Sequence, residues 1–208
     1  MLKKILACSA VASLCMTGAY AGVYVQGEGG YAQQAYESWG ILNESVHQSH
    51  VGGGVAIGGV YPVAPHLNLG AQAGYDYYGK STFRFNDGVG DSAAATVGVQ
   101  TVDVLGIAQV PVGQFNLQGG AGAAFESNNI HIDANIPTVH LNGTYHTTKV
   151  STRPEAMVGA SYNVTHNLAA GVEYKHVFGE SVGSDAWINA DGKKTAVNAV
   201  LATLSYTF

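Results

Sequence analysis

The sequence is poor in cysteine and in charged residues, and both scarcities limit what the chain can do. Cysteine occurs only at Cys8 and Cys15, in an N-terminal segment that reads as an export signal. The rest of the chain therefore has no thiol for a disulfide, for thiol catalysis or for a thiolate metal site. Charged residues make up 11% of the chain, against about a quarter in a typical soluble domain. A fully hydrated exterior is difficult to build from such a composition.

Long apolar runs are also missing. Ile5–Met16 is largely apolar but too short to span a bilayer as a helix, which needs about 20 residues. Lys3 and Lys4 precede this run, and the A-x-A cleavage pattern Ala19-Tyr20-Ala21 follows it. This order predicts an export signal over residues 1–21 and a mature domain over residues 22–208. No later segment is apolar over the length of a membrane-spanning helix.

Basic residues are few. The chain has 9 Lys and Arg against 14 Asp and Glu, and its formal net charge is −5. Removal of residues 1–21 takes away two basic residues and no acidic one, which changes the net charge to −7. No basic cluster offsets this balance, so the sequence predicts no nucleic-acid partner.

What the mature segment contains is alternation of apolar and polar residues, interrupted by turn residues at even spacing. Leu67–Tyr78 is the clearest example, with Leu69 and Tyr75 on one face and Gln72 and Asp76 on the other. Side chains two positions apart share a face of a strand, so each such segment is a predicted strand. The eight predicted strands cover residues 23–32, 50–61, 67–78, 96–110, 115–126, 153–163, 168–178 and 195–208.

The last predicted strand is long and carries no charge after Lys194. An edge of that kind invites mispairing unless a partner strand covers it, so we expect it to pair with the first strand of the mature chain. It ends with Tyr206 and Phe208 on its apolar face. This ending resembles the C-terminal assembly signal of bacterial outer-membrane β-barrels.

The connections between the predicted strands alternate in length. Three are tight, over residues 62–66, 111–114 and 164–167. Four are long, over residues 33–49, 79–95, 127–152 and 179–194. Short turns at one end and long loops at the other are typical of outer-membrane barrels, in which the short turns are periplasmic. Lipid cannot hydrogen-bond the peptide groups, so only a closed sheet can expose these apolar faces to it. The predicted fold is all-β: an eight-stranded antiparallel transmembrane up-and-down β-barrel with long extracellular loops.

Charged residues inside the predicted strands fall on the face opposite the aliphatic one, which is the face toward the lumen. We expect them to form a buried network, because a buried charge is costly unless it is paired. In particular, Arg153, Glu155, Glu173 and Lys175 are expected to pair with one another across two neighbouring strands. The predicted lumen charge network consists of Glu28, Asp76, Asp103, Arg153, Glu155, Glu173 and Lys175.

Several short runs together resemble the OmpA-like eight-stranded barrels and the related short outer-membrane barrel proteins. These runs are Gly74-Tyr75-Asp76-Tyr77-Tyr78-Gly79, Pro111-Val112, Gly159-Ala160-Ser161-Tyr162-Asn163-Val164-Thr165, Val172-Glu173-Tyr174 and Leu204-Ser205-Tyr206-Thr207-Phe208. The resemblance implies a location in the bacterial outer membrane. It also implies contact with membrane lipids and lipopolysaccharide, and assembly by the barrel-assembly machinery. We expect the short, monomeric form without a peptidoglycan-binding domain.

One property of that family does not carry over. The positions that align with its lumenal ion-pair cluster are uncharged here, and they are Gln72, Ile107, Ser161 and Gly171. A gating role based on that cluster is therefore not implied for this chain.

The lumen allows two interpretations. The inward face of residues 50–61 is nearly bare, because it carries glycine at positions 52, 54 and 58. Either larger side chains such as Tyr24 and Asp76 fill the space, as expected for a barrel of this size, or a narrow wet path gives a small, low-conductance pore. A soluble sandwich or lipocalin-like barrel would also alternate, but the polar faces here are poor in Lys, Glu and Ser.

Catalysis, cofactors and metals are not expected. A lipid A-modifying barrel would need a nucleophile within reach of an oriented base. His176 with Ser181, or His140 and His146 with nearby threonines, are the nearest matches. His131 and Asp133 lack a third residue at a spacing typical of metal ligands.

The loops favour an interaction role. Asn142-Gly143, between two alternating segments, predicts a type I′ turn. We therefore expect a hairpin that protrudes beyond the membrane, with Asn142 and Gly143 at its exposed tip. Free strand edges there favour a structural or surface-interaction role, with an adhesive contact to a host or cell-surface ligand as one form of it. The alternative is a loop that shields the bilayer surface and binds nothing.

Overall fold

A computed structural model describes residues 22–36, 46–86, 92–136, 141–181 and 194–208. The predicted export signal lies outside these residues. They form eight strands: β1 (Gly22–Tyr36), β2 (Val46–Ala64), β3 (Leu67–Asn86), β4 (Ser92–Val112), β5 (Phe115–Ile136), β6 (Leu141–Asn163), β7 (Leu168–Ser181) and β8 (Lys194–Thr207). No helix in the described part of the chain has the length and hydropathy to cross a membrane.

The eight strands close into a barrel. Each strand pairs antiparallel with the next, and β1 also pairs with β8. The closing seam runs from Tyr24↔Thr207 to Tyr36↔Thr195. This confirms the predicted fold class and the pairing of the last strand with the first. Closure leaves no sheet edge within the membrane, where an unpaired peptide group would be costly.

The tight turns lie at one end of the barrel, over residues 65–66, 113–114 and 164–167. Gly113 takes a φ of 64°, a left-handed value that glycine adopts without steric cost. The connections at the other end cover residues 37–45, 87–91, 137–140 and 182–193, which lie outside the described residues.

The outward faces are apolar, and a belt of aromatic side chains surrounds the barrel at each end of the membrane-spanning part. We call these belts the lower aromatic ring, near the tight turns, and the upper aromatic ring, at the other end. All of these aromatic side chains are exposed. Near the tight turns they are Tyr61, Phe115, Tyr162, Tyr206 and Phe208, and toward the other end they are Tyr31, Tyr75, Tyr77, Phe125, Tyr174 and Phe178. Phe115 and Phe125 are ten residues apart on β5, which is about 23 Å at a tilt near 45°. This matches the aromatic girdles that bound the apolar band of an outer-membrane barrel.

The strands are longer than the sequence pattern predicts at the end away from the tight turns. The long loop expected over residues 79–95 is wrong, because most of these residues belong to strands, and within residues 127–152 the ladder of the expected hairpin is longer than predicted. The β3–β4 ladder continues to Asn86↔Ser92 and the β5–β6 ladder to Ile136↔Leu141. We call this part of β3–β6, beyond the upper aromatic ring, the strand extension.

The strand extension reverses the polarity of the two faces. Val97, Val99 and Ile130 point inward, whereas Thr96 and Asn129 lie on the outer face. Since water rather than lipid surrounds this part, the apolar side chains gain by turning toward one another. The sequence prediction assumed that the aliphatic face points outward along the whole length of each strand. It therefore ended the strands where this pattern reverses.

Candidate functional site

The lumen contains a layer of charged side chains held by several strands. Lys175 on β7 donates hydrogen bonds to Glu28 Oε1 on β1 and to Asp76 Oδ2 on β3, both at 2.9 Å. The side chains of all three residues are between 0% and 1% exposed. Tyr78 also donates to Asp76 Oδ2, at 3.2 Å. Lys175 is thus bonded to β3, on the opposite side of the barrel, and to β1, two strands away, rather than to the strands beside it.

Arg153 on β6 forms the second ion pair of this layer. Its Nη2 lies 3.1 Å from Glu126 Oε1 on β5, and both side chains are buried. Asn128 donates to the same Glu126 oxygen at 2.5 Å, and Arg153 Nε donates to Ser151 at 3.2 Å. Glu126 was not part of the predicted network, although its place on the inward face of β5 was visible in the sequence.

Glu173 on β7 is held by amides. Gln26 and Gln118 both donate to its Oε1, at 2.9 Å and 2.6 Å. The expected pairing of Glu155, Glu173 and Lys175 with one another is therefore wrong. Lys175 bonds residues of β1 and β3, amides of β1 and β5 hold Glu173, and the oxygens of Glu155 have no hydrogen-bond partner. Sequence fixes the face that a residue occupies, but the tilt and curvature of the barrel decide which side chains meet across the lumen.

The remaining carboxylates lie together. Asp76, Asp103 and Glu155 each offer one oxygen, and these oxygens lie within 4.8 Å of one another. Both oxygens of Asp103 and both of Glu155 are buried without a hydrogen-bond partner. All seven residues of the predicted network thus face the lumen, but they separate into paired and unpaired groups.

Apolar clusters cover the charged layer on both sides. On the side of the strand extension the cluster consists of Ala32, Tyr78, Val97, Val99, Ala124, Val177, Val197, Ala199 and Leu201, with Phe83 and Ile130 packed against it. Toward the tight turns, Leu105, Ile107 and Met157 form a second cluster with Val60. Neither cluster was expected from the sequence, which had suggested a polar lumen.

Neighbouring strands occupy the space above the glycines of β2. A Cβ on Gly54 would lie 2.0 Å from Asp76 Oδ1, and a Cβ on Gly58 would lie 2.5 Å from the Tyr24 ring. Tyr24 in turn donates to Gln72 Oε1 at 2.7 Å. The geometry favours the first interpretation of the bare face, in which larger side chains fill the lumen.

The C-terminal aromatic residues lie at the seam near the tight turns. The rings of Tyr206 and Phe208 are 5.2 Å apart in an edge-to-face arrangement. The backbone N–H of Phe208 donates to the Val23 carbonyl at 2.9 Å. Phe208 remains 75% exposed on the lipid-facing side. The predicted assembly signal is thus accessible in the closed barrel, and its recognition by an assembly partner stays a prediction.

The hairpin of β5 and β6 protrudes as expected, but the predicted turn is wrong. Asn142 pairs with Asn135 and Gly143 with Ala134, so both residues belong to the β6 ladder. The connection is instead at residues 137–140. The β5–β6 register runs without a bulge from Phe115↔Tyr162 onward, and this continuous ladder outweighs the local turn preference of Asn-Gly.

The two edges of β6 differ in their pairing within the described part of the chain. β6 pairs with β5 over its whole length, but with β7 only from Glu155↔Val177 to Asn163↔Ala169. Among the described strands, none pairs with the β7-facing edge of residues 141–154.

The described histidines that were considered for catalysis or metal binding contact neighbouring side chains. The ring Nδ1 of His176 lies 2.7 Å from Asn198 Oδ1, which also accepts a hydrogen bond from Tyr174 at 2.6 Å. His131 Nε2 lies 3.2 Å from Asp133 Oδ2, and both side chains are about half exposed. The His131 and His146 rings are 6.2 Å apart. His140 and the Ser181 side chain lie outside what the structure describes.

Comparison with known proteins identifies the family. The model of the outer membrane protein β-barrel domain matches residues 5–208, nearly the whole chain. The chain belongs to this family. It is therefore a β-barrel of the bacterial outer membrane.

Individual relatives of this outer-membrane β-barrel are distant. An uncharacterised protein of Coxiella burnetii (strain RSA 493 / Nine Mile phase I) is 27% identical over 221 residues, which cover 90% of this chain and 86% of that protein. The attachment invasion locus protein Ail of Yersinia pestis is 13% identical, with a TM-score of 0.48 over 89% of this chain and 98% of Ail. Neisserial surface protein A is 16% identical, with a TM-score of 0.48 over 90% of this chain and 99% of that protein.

Proposed function

We propose that this outer-membrane barrel is a non-catalytic surface-interaction protein that binds an extended polypeptide segment of a partner along the edge of β6 that no described strand covers. The single observation that carries the proposal is the unequal pairing of β6. Its β5 side is paired over the whole strand, whereas among the described strands its pairing on the β7 side ends at Glu155. An open strand edge offers a row of peptide groups to which an extended segment can add as a new strand.

The direction of these peptide groups follows from Pro154. A proline has no N–H, so it is tolerated in a ladder where that N–H would point away from the paired neighbour. Pro154 lies opposite Ala123 in the β5–β6 ladder. Because N–H groups alternate between the two sides of a strand, the even-numbered residues from Thr144 to Thr152 point theirs toward the open edge.

The composition of this edge supports binding. Proteins commonly protect an exposed edge with charges, proline or a bulge. Residues 141–152 contain one charged residue, Lys149, and no proline. They are rich in threonine and include Tyr145 and Val150, which favour extended structure. Tyr145 is 60% exposed and Val150 is 58% exposed, so both are accessible to a partner.

The outer face of the strand extension supports a contact with lipid head groups as well. A groove there is lined by Tyr77, Lys80, His131 and His146, among others. Tyr77 belongs to the upper aromatic ring, so the groove begins where the apolar band ends. Lys80 then lies at the height of the phosphate groups of surrounding lipids and lipopolysaccharide, with which a cation pairs favourably.

A pore is the second candidate from the sequence, and the filled lumen argues against it. Tyr24 and Asp76 occupy the space over the β2 glycines, and apolar clusters cover the charged layer on both sides.

Selection of peptides against the protein tests the proposal. Phage-displayed random peptides are selected on the protein in lipid nanodiscs and then measured against two variants. Val150→Pro removes an edge N–H without removing a β5 hydrogen bond, whereas Val150→Thr retains it. We expect selected peptides to lose at least tenfold in affinity for Val150→Pro and to bind Val150→Thr as they bind the parent. Failure to enrich any peptide, or equal binding to both variants, contradicts binding at this edge.

A further inference from the structure

The charges in the lumen do not balance. Six buried carboxylates face it, and they are Glu28, Asp76, Asp103, Glu126, Glu155 and Glu173. Among the described residues only two cations, Lys175 and Arg153, lie with them. Both cations are committed, Lys175 to Glu28 and Asp76 and Arg153 to Glu126. Amides hold Glu173. Asp103 and Glu155 make no hydrogen bond to either cation.

Asp103 and Glu155 lie next to Asp76 in the lumen. One oxygen from each of the three side chains lies within 4.8 Å of the other two. Asp76 bonds Lys175 and Tyr78 through Oδ2 only, while its Oδ1 has no hydrogen-bond partner. Like charges this close in a buried site cannot all remain ionised unless something positive lies between them.

A neutral oxygen also faces this region. Thr101 is 1% exposed, and its Oγ1 has no hydrogen-bond partner. It lies directly opposite Asp76 in the β3–β4 ladder and two residues before Asp103 on the same inward face. Its neighbour on the other side is Tyr78, whose own hydroxyl bonds Asp76, so Thr101 lies beside the carboxylates as a further oxygen that a cation could use.

We propose that Asp76, Asp103 and Glu155 bind one divalent cation of the Ca²⁺ type inside the barrel, with Thr101 as a fourth oxygen ligand. Calcium takes oxygen ligands at about 2.3–2.6 Å, so oxygens on opposite sides of the ion are separated by about 5 Å at most. Three oxygens that all lie within 4.8 Å of one another are compatible with such a coordination sphere. The donors are all oxygens, which hard cations prefer over softer metals.

The position of the site determines how the ion enters. The apolar cluster around Tyr78, Val99 and Leu201 covers it on the side of the strand extension, and Leu105 and Met157 lie on the side of the tight turns. Exchange through the folded barrel is therefore slow, and the ion is acquired as the barrel closes. The site is independent of the β6 edge, so peptide binding there does not depend on it.

Refolding with and without calcium tests the proposal. The protein is extracted from outer membranes in a zwitterionic detergent, unfolded in urea with EDTA, and refolded with Ca²⁺ or with EDTA. After gel filtration, bound calcium is measured by mass spectrometry. We expect one Ca²⁺ per chain for the parent and none for the double variant Asp103→Asn/Glu155→Gln. Asp133→Asn removes an exposed carboxylate instead and should keep one ion.

Two further measurements test calcium binding independently of the mass spectrometry. Tb³⁺ in place of Ca²⁺ should show emission sensitised by Tyr78, whose hydroxyl contacts Asp76, and this emission should fall at least tenfold in Glu155→Gln. If the double variant fails to fold, the thermal midpoint of the parent decides, because it should rise when Ca²⁺ is present during refolding. A parent that retains no calcium and shows no such rise overturns the proposal, as does a folded double variant that retains as much calcium as the parent. The carboxyl groups would then share protons rather than a metal ion.

Discussion

Lys175 and Asp76 are 99 residues apart in sequence, yet their side chains meet in the lumen with 2.9 Å between Nζ and Oδ2. The pair joins β7 to β3, which are not neighbours in the sheet. It therefore ties opposite walls of the barrel together, in addition to the backbone ladder around its circumference.

Replacement of Lys175 should destabilise the barrel strongly. Lys175→Met leaves Glu28 and Asp76 buried without their cation, and removal of one partner of a buried pair costs about 3–5 kcal/mol. Urea unfolding in detergent, followed by heat-modifiable migration, measures the loss. Lys149→Met at an exposed position of β6 is the control and should change stability by less than about 0.5 kcal/mol. Equal effects of the two changes would show that the lumenal pair is unimportant.

The glycines of the barrel should differ in their tolerance of a methyl group. Gly54→Ala places a Cβ 2.0 Å from Asp76 Oδ1 and 2.5 Å from the Tyr75 carbonyl oxygen, and such overpacking costs about 1–3 kcal/mol. Gly27→Ala, on the lipid-facing side of β1, meets no atom within 4 Å. It should be neutral within about 0.5 kcal/mol. The same unfolding assay measures both, and comparable losses would contradict the packing described for Gly54.

The filled lumen predicts no conductance. Purified protein in planar bilayers should give no discrete current steps above background, because Tyr24 fills the space over Gly58 and bonds Gln72. Tyr24→Ala removes this ring and is the informative variant, since any new steps should appear there first. Regular steps from the parent protein would restore the pore hypothesis.

The aromatic end of the chain should matter for assembly more than for stability. Phe208→Ala should lower the amount of folded protein in the outer membrane severalfold, because Phe208 is exposed to an assembly partner at the seam. Leu204→Ala, on the same face of β8, is the matched control and should assemble almost normally. Pulse-labelling and heat-modifiable migration measure folded protein over time. Similar yields for both variants would remove the special role of the terminal aromatic residue.

The orientation of the barrel can be tested with single cysteines. Cys8 and Cys15 both precede the predicted cleavage site, so the parent should not react with a membrane-impermeant maleimide. Gly143→Cys, which has open space around it, should react on intact cells. His66→Cys, in an exposed tight turn, should react only after the outer membrane is permeabilised. The reverse result would invert the barrel, and labelling of the parent would contradict removal of residues 1–21.

The sequence alone determined the number of strands, their order and the face of each residue within the predicted strands. Alternation at period two is a local property, and the change between lipid and lumen sides is visible wherever a polar residue interrupts an aliphatic face. The tight turns at residues 113–114 and 164–167 were predictable for the same reason, because turn residues act on their immediate neighbours.

Only the tertiary structure decided what the faces meet. The β5–β6 ladder overruled the turn preference of Asn142-Gly143, because a register set over many residues outweighs one local signal. The reversal of polarity above the membrane depends on where lipid gives way to water. The position of this boundary cannot be derived from the sequence of any single strand. Lys175 pairs with Asp76, whereas Asp103 and Glu155 remain without a hydrogen-bond partner. This difference depends on distances across the lumen, which only closure and tilt of the eight strands create.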